Sequence, residues 1–318
     1  MEVDVVCEGG GVKIGGLVGA IRELEDQNFK IRRIAGASAG AIIGALKASH
    51  FTGQELEDLA MNLDFRHFLD GNRFMTLYNW FVNQGIYKGD KFYEFMKETL
   101  ASKGVYTFGD LIRYDYNDSA FIGYKDRWKL KVIVTDVTRN SNIVLPEDAA
   151  LYGQDPDRLE VALAIRMSMS LPYFFRPVRV WDSWFIDGGT TSNFPIWLFD
   201  AERAKDLDCP TFGMLLDGGE YCAKNEITGW WTYMIAMINT MIQAHDRKFI
   251  HPGDFEHRIV KINTNNIRTA DFRIGPEQKK LLISNGRIAT RQFLETWSWD
   301  SYQTWARKRI RKRARKEL

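Results

Sequence analysis

The chain has 318 residues, 45% of them hydrophobic, and a net charge of +2; this is enough apolar material for one large domain or two average ones and excludes global disorder. Its cysteines, Cys7, Cys209 and Cys222, are odd in number and far apart, which argues against a disulfide framework or a zinc site and fits a reducing, cytoplasmic compartment. The N-terminus Met1-Glu2-Val3-Asp4 is acidic, unlike a secretion leader, and no apolar run approaches the roughly 18 residues of a membrane span. The near-neutral total conceals an asymmetry. Residues 307–318 hold eight Lys/Arg and one Glu, a net +7, which leaves −5 for the rest of the chain.

Val3 to Cys7 is a β-branched run that reads as a buried strand. Gly9-Gly10-Gly11-Val12-Lys13-Ile14-Gly15-Gly16 follows it, and Leu17 to Phe29 reads as a helix with Leu17, Ala20, Ile21 and Leu24 on one face. A strand, a glycine loop and a helix make an anion-binding arrangement, because the loop presents bare N–H groups. A dinucleotide phosphate requires G-x-G-x-x-G, and Ile14 stands where the third glycine belongs. The other candidate ligand is an oxyanion, held where donors from this loop and a neighbouring turn meet.

Ile31 to Ala35 is the next strand and Ala39 to Ala48 the next helix. Between them Gly36-Ala37-Ser38-Ala39-Gly40 has the G-x-S-x-G spacing of a nucleophile elbow, in which a strained turn pushes the serine hydroxyl clear of the sheet. Two strand–loop–helix units in succession predict a doubly wound, parallel α/β architecture. Residues 54–104 read as helical and aromatic (Phe65, Phe68, Phe74, Tyr78, Trp80, Phe81, Tyr87, Phe92, Tyr93, Phe95), a layer covering the sheet, the lining of an acyl-chain cleft or a lid. Further strands are expected over Trp128–Asp136, with Asn140–Leu145 as hairpin partner, and over Arg179–Ile186, Thr211–Leu216 and Arg258–Ile262. Further helices are expected over Glu160–Met169, Trp230–Ile250, Glu277–Glu295 and the tail from Trp305. No repeat or linker divides them, so one domain is expected.

Ser38 needs a base. His245, His251 and His257 follow it in the order of an α/β-hydrolase triad, but their surroundings are undistinguished. The alternatives are carboxylates at strand ends held by glycine turns, Asp187-Gly188-Gly189 and Asp217-Gly218-Gly219.

Taken together, these segments resemble the patatin-like phospholipases, in particular the bacterial single-domain members. Gly9-Gly10-Gly11-Val12-Lys13 is similar to the oxyanion loop of that family and Gly36-Ala37-Ser38-Ala39-Gly40 to its nucleophile elbow. Asp187-Gly188-Gly189-Thr190-Thr191-Ser192-Asn193-Phe194-Pro195 is similar to the D-G-G segment that supplies the aspartate of a Ser-Asp dyad. The Asn-Phe-Pro trailer separates Asp187 from Asp217. The likeness runs on through Gly85–Asp90, Thr107–Leu111, Ser168-Met169-Ser170-Leu171-Pro172 and the helix from Glu277, over most of residues 3–295. One departure is Ile14, where the family usually has glycine, so the oxyanion hole is open to a shift in register.

The resemblance implies a three-layer α/β/α fold with a mostly parallel central sheet, an acyl hydrolase domain over 1–299 and a basic tail over 300–318. It implies a phospholipase A, lysophospholipase or carboxylesterase type of reaction through Ser38 and Asp187, with Gly9, Gly10, Gly11 and Val12 as oxyanion donors. Gly36, Gly40, Gly188 and Gly189 serve as motif glycines, and Lys13 fixes the loop, contacts a lipid phosphate or is simply solvated. No cofactor or metal is expected, since the dyad needs none and no D-x-D-x-D-G loop is present. A catalytically silent lipid-binding protein on the same fold is the alternative. A nucleic-acid partner is disfavoured, because 307–318 contains no aromatic to stack bases and the body is acidic. The tail is either a solvated charge run or a peripheral contact with anionic membrane, seated by Trp297, Trp299, Tyr302 and Trp305.

Overall fold

The computed structural model describes all residues except 72–81, 114–125, 201–206, 219–225, 247–249, 251–252, 266, 268, 270 and 315–318. Phe74, Tyr78, Trp80, Phe81, Gly219, Cys222 and His251 therefore lie outside the described residues, as does the side chain of His245.

The β-branched N-terminal run forms β1 (Glu2–Cys7), and α1 (Ile14–Asp26) begins three residues earlier than its apolar pattern requires. Then follow β2 (Lys30–Ala37), α2 (Ala39–Ala48) and α3 (Gly53–Asn62), the last opened by a Thr52–Glu55 capping box. The aromatic stretch yields a short strand β3 (Gly85–Tyr87) and α4 (Asp90–Ala101). Next come β4 (Leu130–Asp136), its antiparallel partner β5 (Ser141–Leu145), α5 (Val161–Ser168), β6 (Tyr173–Phe175), β7 (Val178–Val180) and β8 (Ser183–Asp187). The strand expected over Arg179–Ile186 is thus a hairpin. Trp181 and Asp182 both take left-handed backbone, φ 54° and 55°, the conformation of a two-residue hairpin turn. Without a glycine or asparagine there, the apolar run reads as continuous. The chain ends with β9 (Thr211–Asp217), α6 (Trp230–Asp246), β10 (Ile259–Asn263), α7 (Pro276–Thr296) and α8 (Trp299–Ala314).

The central sheet runs β10-β9-β1-β2-β4-β8-β7, with β5 also on β4. Strands β10, β9, β1, β2 and β4 are parallel to one another, so the expected mostly parallel α/β sheet is what forms. Its two faces are read off alternate residues. Val3, Val5, Cys7 and Ile34 join the larger core beneath α1, α2, α5 and α7, whereas Val6, Ala35 and Leu215 join a smaller one with Phe194, Ile196, Phe199 and Ile259. Most of the described aromatics of 54–104 are a covering layer: Phe68 packs edge-on to Phe92 and against Phe95, with ring centroids 5.2 Å apart in both pairs.

One pairing determines where the site forms. On β4, β5 pairs with Val132 to Asp136, so it occupies one edge. The other edge is shared end to end: β2 pairs with it up to Ala37–Ile133, and β8 takes over at Asp187–Val134. The C-terminal ends of β2 and β8 therefore abut. No helix among the described residues is long and apolar enough to cross a membrane.

Packing continues across the boundary drawn at residue 300. Tyr302 is 4% exposed and its hydroxyl accepts the Thr211 N–H (3.0 Å) at the start of β9. Arg309 bonds Asp254 (2.5 Å), which Arg258 also bridges at 3.2 Å, and the Trp305 ring lies beside both guanidinium groups. These aromatics are used to dock α8, which leaves Arg307, Lys308, Arg311 and Lys312 as its exposed basic face.

Helices α1 and α7 cross at bare backbone. A Cβ on Gly286 would lie 2.0 Å from the Gly16 carbonyl oxygen, and one on Gly19 would lie 1.9 Å from that of Ile283. Gly286→Ala should therefore force the helices apart and cost about 1–3 kcal/mol, measured by urea denaturation; an unchanged midpoint would show that the crossing has room to spare.

Candidate active site

The site forms where β2 meets β8. Ser38 leaves β2 with φ 51° and ψ −123°, a conformation a non-glycine residue keeps only when its surroundings enforce it, at roughly 1–3 kcal/mol. The enforcement comes from close backbone approach. A Cβ on Gly36 would lie 2.4 Å from the Gly40 carbonyl carbon, and one on Gly40 would lie 2.2 Å from the Cys7 carbonyl oxygen. This is the physical content of the G-x-S-x-G spacing: only glycine lets β1, β2 and α2 converge beneath the serine.

Ser168, at the end of α5, ties the junction. Its hydroxyl donates to the Ile133 carbonyl (2.7 Å) and accepts the Ser38 N–H (2.9 Å). The turn after β8 passes over the same carbonyl, so closely that a Cβ on Gly188 would sit 2.0 Å from it. Asp187 N–H donates to the Ser170 carbonyl (2.9 Å). The Asp187 carboxyl accepts the Gly189 N–H (2.7 Å) and the Ser38 hydroxyl. It is 2% exposed. Burial pushes its pKa up to about 7, opposed by those two hydrogen bonds.

Asp217 is placed differently. Lys261 pairs with its carboxylate at 2.8 Å and Thr264 N–H donates to its carbonyl at 2.8 Å. Among the described histidines, His50 is 3.3 Å from the Lys129 ammonium and the His257 ring is 5.3 Å from the Trp305 ring; neither is bonded to Ser38. Lys13 is partly buried. Burial pulls its ammonium below the usual range, against the pull of the Glu8 and Asp217 carboxylates.

The glycine loop corrects the expected donor set. Gly9 N–H donates to the Asn193 carbonyl (3.0 Å) and Val12 N–H to the Thr269 carbonyl (3.1 Å), so neither is available to a ligand. Gly10 and Gly11 N–H, and Ala39 N–H at the start of α2, have no partner among the described residues. The left-handed residue of the loop is Gly11, φ 54°. Ile14 has ordinary helical backbone, φ −47°, and its side chain is buried in the core. A glycine is not required there, and Gly15 and Gly16 serve packing: a Cβ on either would lie 3.1 Å from Leu282 or Ile262.

The loop sits beside the serine. A Cβ on Gly9 would lie 3.2 Å from Ser38 Cβ. A hydroxyl polarised by a carboxylate, next to unpartnered N–H groups at a helix N-terminus, is equipped to attack an electrophilic carbon and hold the negative charge that develops. Ser168 and Asn193 stood in sequence motifs with no role attached. Glu8 and Thr269 carried no signal beyond a charged residue closing a buried strand and a threonine in a loop. Among the described residues, no group of three or more His, Cys, Asp or Glu converges as metal ligands would.

A family model described as patatin-like phospholipase matches residues 5–200. The chain is 35% identical to the uncharacterized protein YqhO of Bacillus subtilis (strain 168) over 311 residues, 94% of this chain and 100% of that one. It is 23% identical to the probable lipid hydrolase 463L of Invertebrate iridescent virus 6 over 200 residues, 60% of this chain and 61% of that one. Among solved structures, VipD from Legionella pneumophila shares the fold, with a TM-score of 0.55 at 17% identity over 92% of this chain and 66% of its own.

Asp187 carries a folding cost with a definite sign. Its carboxyl ionises near 3.8 when unperturbed and near 7 in the fold, so between those values the unfolded chain has released a proton that the folded chain retains. Stability contributed by this group therefore falls as pH rises through that window. Asp187→Asn should be more stable than wild type at pH 8, by on the order of a few kcal/mol, and gain far less at pH 4. Urea midpoints at the two pH values decide; an equal difference at both overturns the assignment of a strained carboxylate.

Proposed function

This chain belongs to the patatin-like phospholipase family, and from that premise and the geometry around Ser38 we propose that it hydrolyses acyl esters of lipids through a Ser38-Asp187 dyad. Ionised Asp187 takes the proton as Ser38 Oγ attacks the ester carbonyl carbon. Gly10 and Gly11 N–H, with Ala39 N–H, receive the developing oxyanion, each worth roughly 3 kcal/mol of barrier. The tetrahedral intermediate collapses to an acyl-enzyme as the alcohol or lysolipid leaves with the proton from Asp187. Water then gives a proton to Asp187, attacks the acyl carbon and restores Ser38. The substrate class is a phospholipid or another acyl-ester lipid, in a phospholipase A, lysophospholipase or carboxylesterase type of reaction. The observation that carries this reading is one constellation: a serine in left-handed backbone, its hydroxyl bonded to a buried carboxyl, beside N–H groups without partners among the described residues.

Ser38→Ala should abolish hydrolysis of a short-chain nitrophenyl ester and labelling by a fluorophosphonate while the circular dichroism spectrum stays native. The base must be ionised, so kcat/KM of the wild type should fall about tenfold per pH unit below about 7 and level off above it. Most of the activity surviving in a folded Ser38→Ala variant would sink the assignment, and a wild type that neither labels nor turns over would leave the silent lipid-binding alternative.

For the tail, we propose that Arg307, Lys308, Arg311 and Lys312 contact anionic membrane, each contributing about 1 kcal/mol near such a surface. What supports this is their joint exposure on α8. Truncation is the wrong probe, since losing Arg309 strips a partner from the buried Asp254 carboxylate. Replacing the four exposed residues by Gln should abolish salt-sensitive co-sedimentation with anionic vesicles and leave turnover of a soluble ester unchanged; undiminished binding would exclude this face.

A further inference from the structure

A run of three glycines is the least ordered backbone a chain can make, yet oxyanion donors work only if they are held in place before the charge develops. The Gly10 carbonyl accepts the Lys13 N–H (3.1 Å) and the Gly11 carbonyl that of Ile14, which shapes the turn, but the constraint on where the turn sits must come from its neighbours. It converges on Gly9. Asn193 engages both backbone polar groups of Gly9: its carbonyl accepts the Gly9 N–H at 3.0 Å, and its Nδ2 donates to the Gly9 carbonyl at 3.1 Å. The Asn193 Oδ1 fills the space above the loop, only 2.3 Å from where a Gly9 Cβ would stand and 2.7 Å from that of Gly189. The side chain is 5% exposed, so it reports on packing inside the protein rather than on solvent.

Glu8 completes the strap. Its Oε1 accepts a second hydrogen bond from Asn193 Nδ2 (3.1 Å), its Oε2 accepts the Leu216 N–H (2.5 Å), and its own N–H donates to the Met214 carbonyl (3.1 Å). The start of the loop is thereby tied to β9 on one side and to the segment after Asp187 on the other. Asn193 follows Asp187 by one short helix, Gly189–Ser192.

We infer that Asn193, oriented by Glu8, is the positioning residue that sets the Gly10 and Gly11 donors against Ser38, so that base and oxyanion donors are held as one rigid unit. The inference rests on the Ser38-Asp187 reading. It requires a side chain that donates two hydrogen bonds from one atom, to a carbonyl and to a carboxylate. Aspartate in its place donates none and sets a second carboxylate against Glu8.

The test compares wild type, Asn193→Ala, Asn193→Asp, the double variant Asn193→Asp with Glu8→Gln, and Ser38→Ala. Fluorophosphonate labelling run to completion counts folded sites, and kcat and KM for a nitrophenyl ester are expressed per labelled site. Asn193→Ala should lower kcat about 10- to 100-fold with KM within about threefold, and weaken inhibition by a trifluoromethyl ketone, which forms the oxyanion, by the same factor as kcat/KM. A purely structural role would reduce the number of labelled sites and leave kcat per site and ketone affinity unchanged, which would overturn the inference. Should Asn193→Ala not fold, the aspartate pair decides. The Glu8→Gln amide restores a donor between the two side chains, so the double variant should exceed Asn193→Asp in kcat per site, and equal values would refute the strap. Hydrolysis retained in Ser38→Ala would instead overturn the catalytic reading itself.

Discussion

The Ile133 carbonyl is the point on which the candidate site depends. It lies on the edge of β4 where β2 stops and β8 begins. Three demands meet there: the hydroxyl of Ser168 needs an acceptor, the Gly188 turn must pass without a side chain, and the Ser38 amide needs a partner, which Ser168 supplies. A sheet edge normally continues one strand. Dividing it between two strands of opposite direction brings two chain reversals face to face, so a strained serine and a buried carboxyl come within hydrogen-bonding reach although 149 positions separate them in Ser38 and Asp187. Backbone hydrogen bonding in the ladder, rather than attraction between the two side chains, makes their meeting obligatory.

The two ends of the sheet treat buried carboxylates in opposite ways. At the N-terminal end, burial alone would raise the Asp4 pKa, but Arg33 and Arg32 outweigh it and hold the carboxylate charged. Asp254 is bridged by Arg258 and Arg309. At the C-terminal end the Asp187 carboxyl has, among the described residues, a serine and one amide as partners, and its pKa rises. The first arrangement staples strands together. The second leaves a carboxyl whose affinity for a proton suits exchange near neutrality. The cost of an unpaired buried carboxyl and of left-handed serine backbone is offset by the dense core beneath α1, α2, α5 and α7.

The C-terminal helix belongs to the first end. Its Tyr302 meets Thr211, which is in register with Asp4 and hence with Arg33. Ser38 is five residues further along, about 16 Å at 3.3 Å per residue. A surface bound by the exposed face of α8 therefore lies toward the opposite end of the strands from Ser38. The exposed basic face and the candidate site are therefore separate features of the fold.

Local chemistry was legible in the sequence wherever a residue type had one physical use. The β-branched runs gave the strands, and Gly36, Gly40 and Gly188 marked close approaches that no other residue tolerates. The Trp181-Asp182 turn was not legible, because only Asp182 of its left-handed pair is a residue that favours that conformation, and Trp181 is not. Nor was the division of labour in the glycine loop, since identical residues differ only in what their N–H groups meet: that of Gly9 meets the Asn193 carbonyl, while those of Gly10 and Gly11 meet no acceptor among the described residues. The basic run announced charge, but not that Tyr302, Trp305 and Arg309 are consumed in docking. The sequence by itself determined the α/β class, the elbow and the two aspartates eligible to serve it. Only the tertiary structure decided where the two aspartates stand, because register along β4 sets Asp187 next to Ala37, while Asp217 ends a strand two places away across the sheet and is held by Lys261.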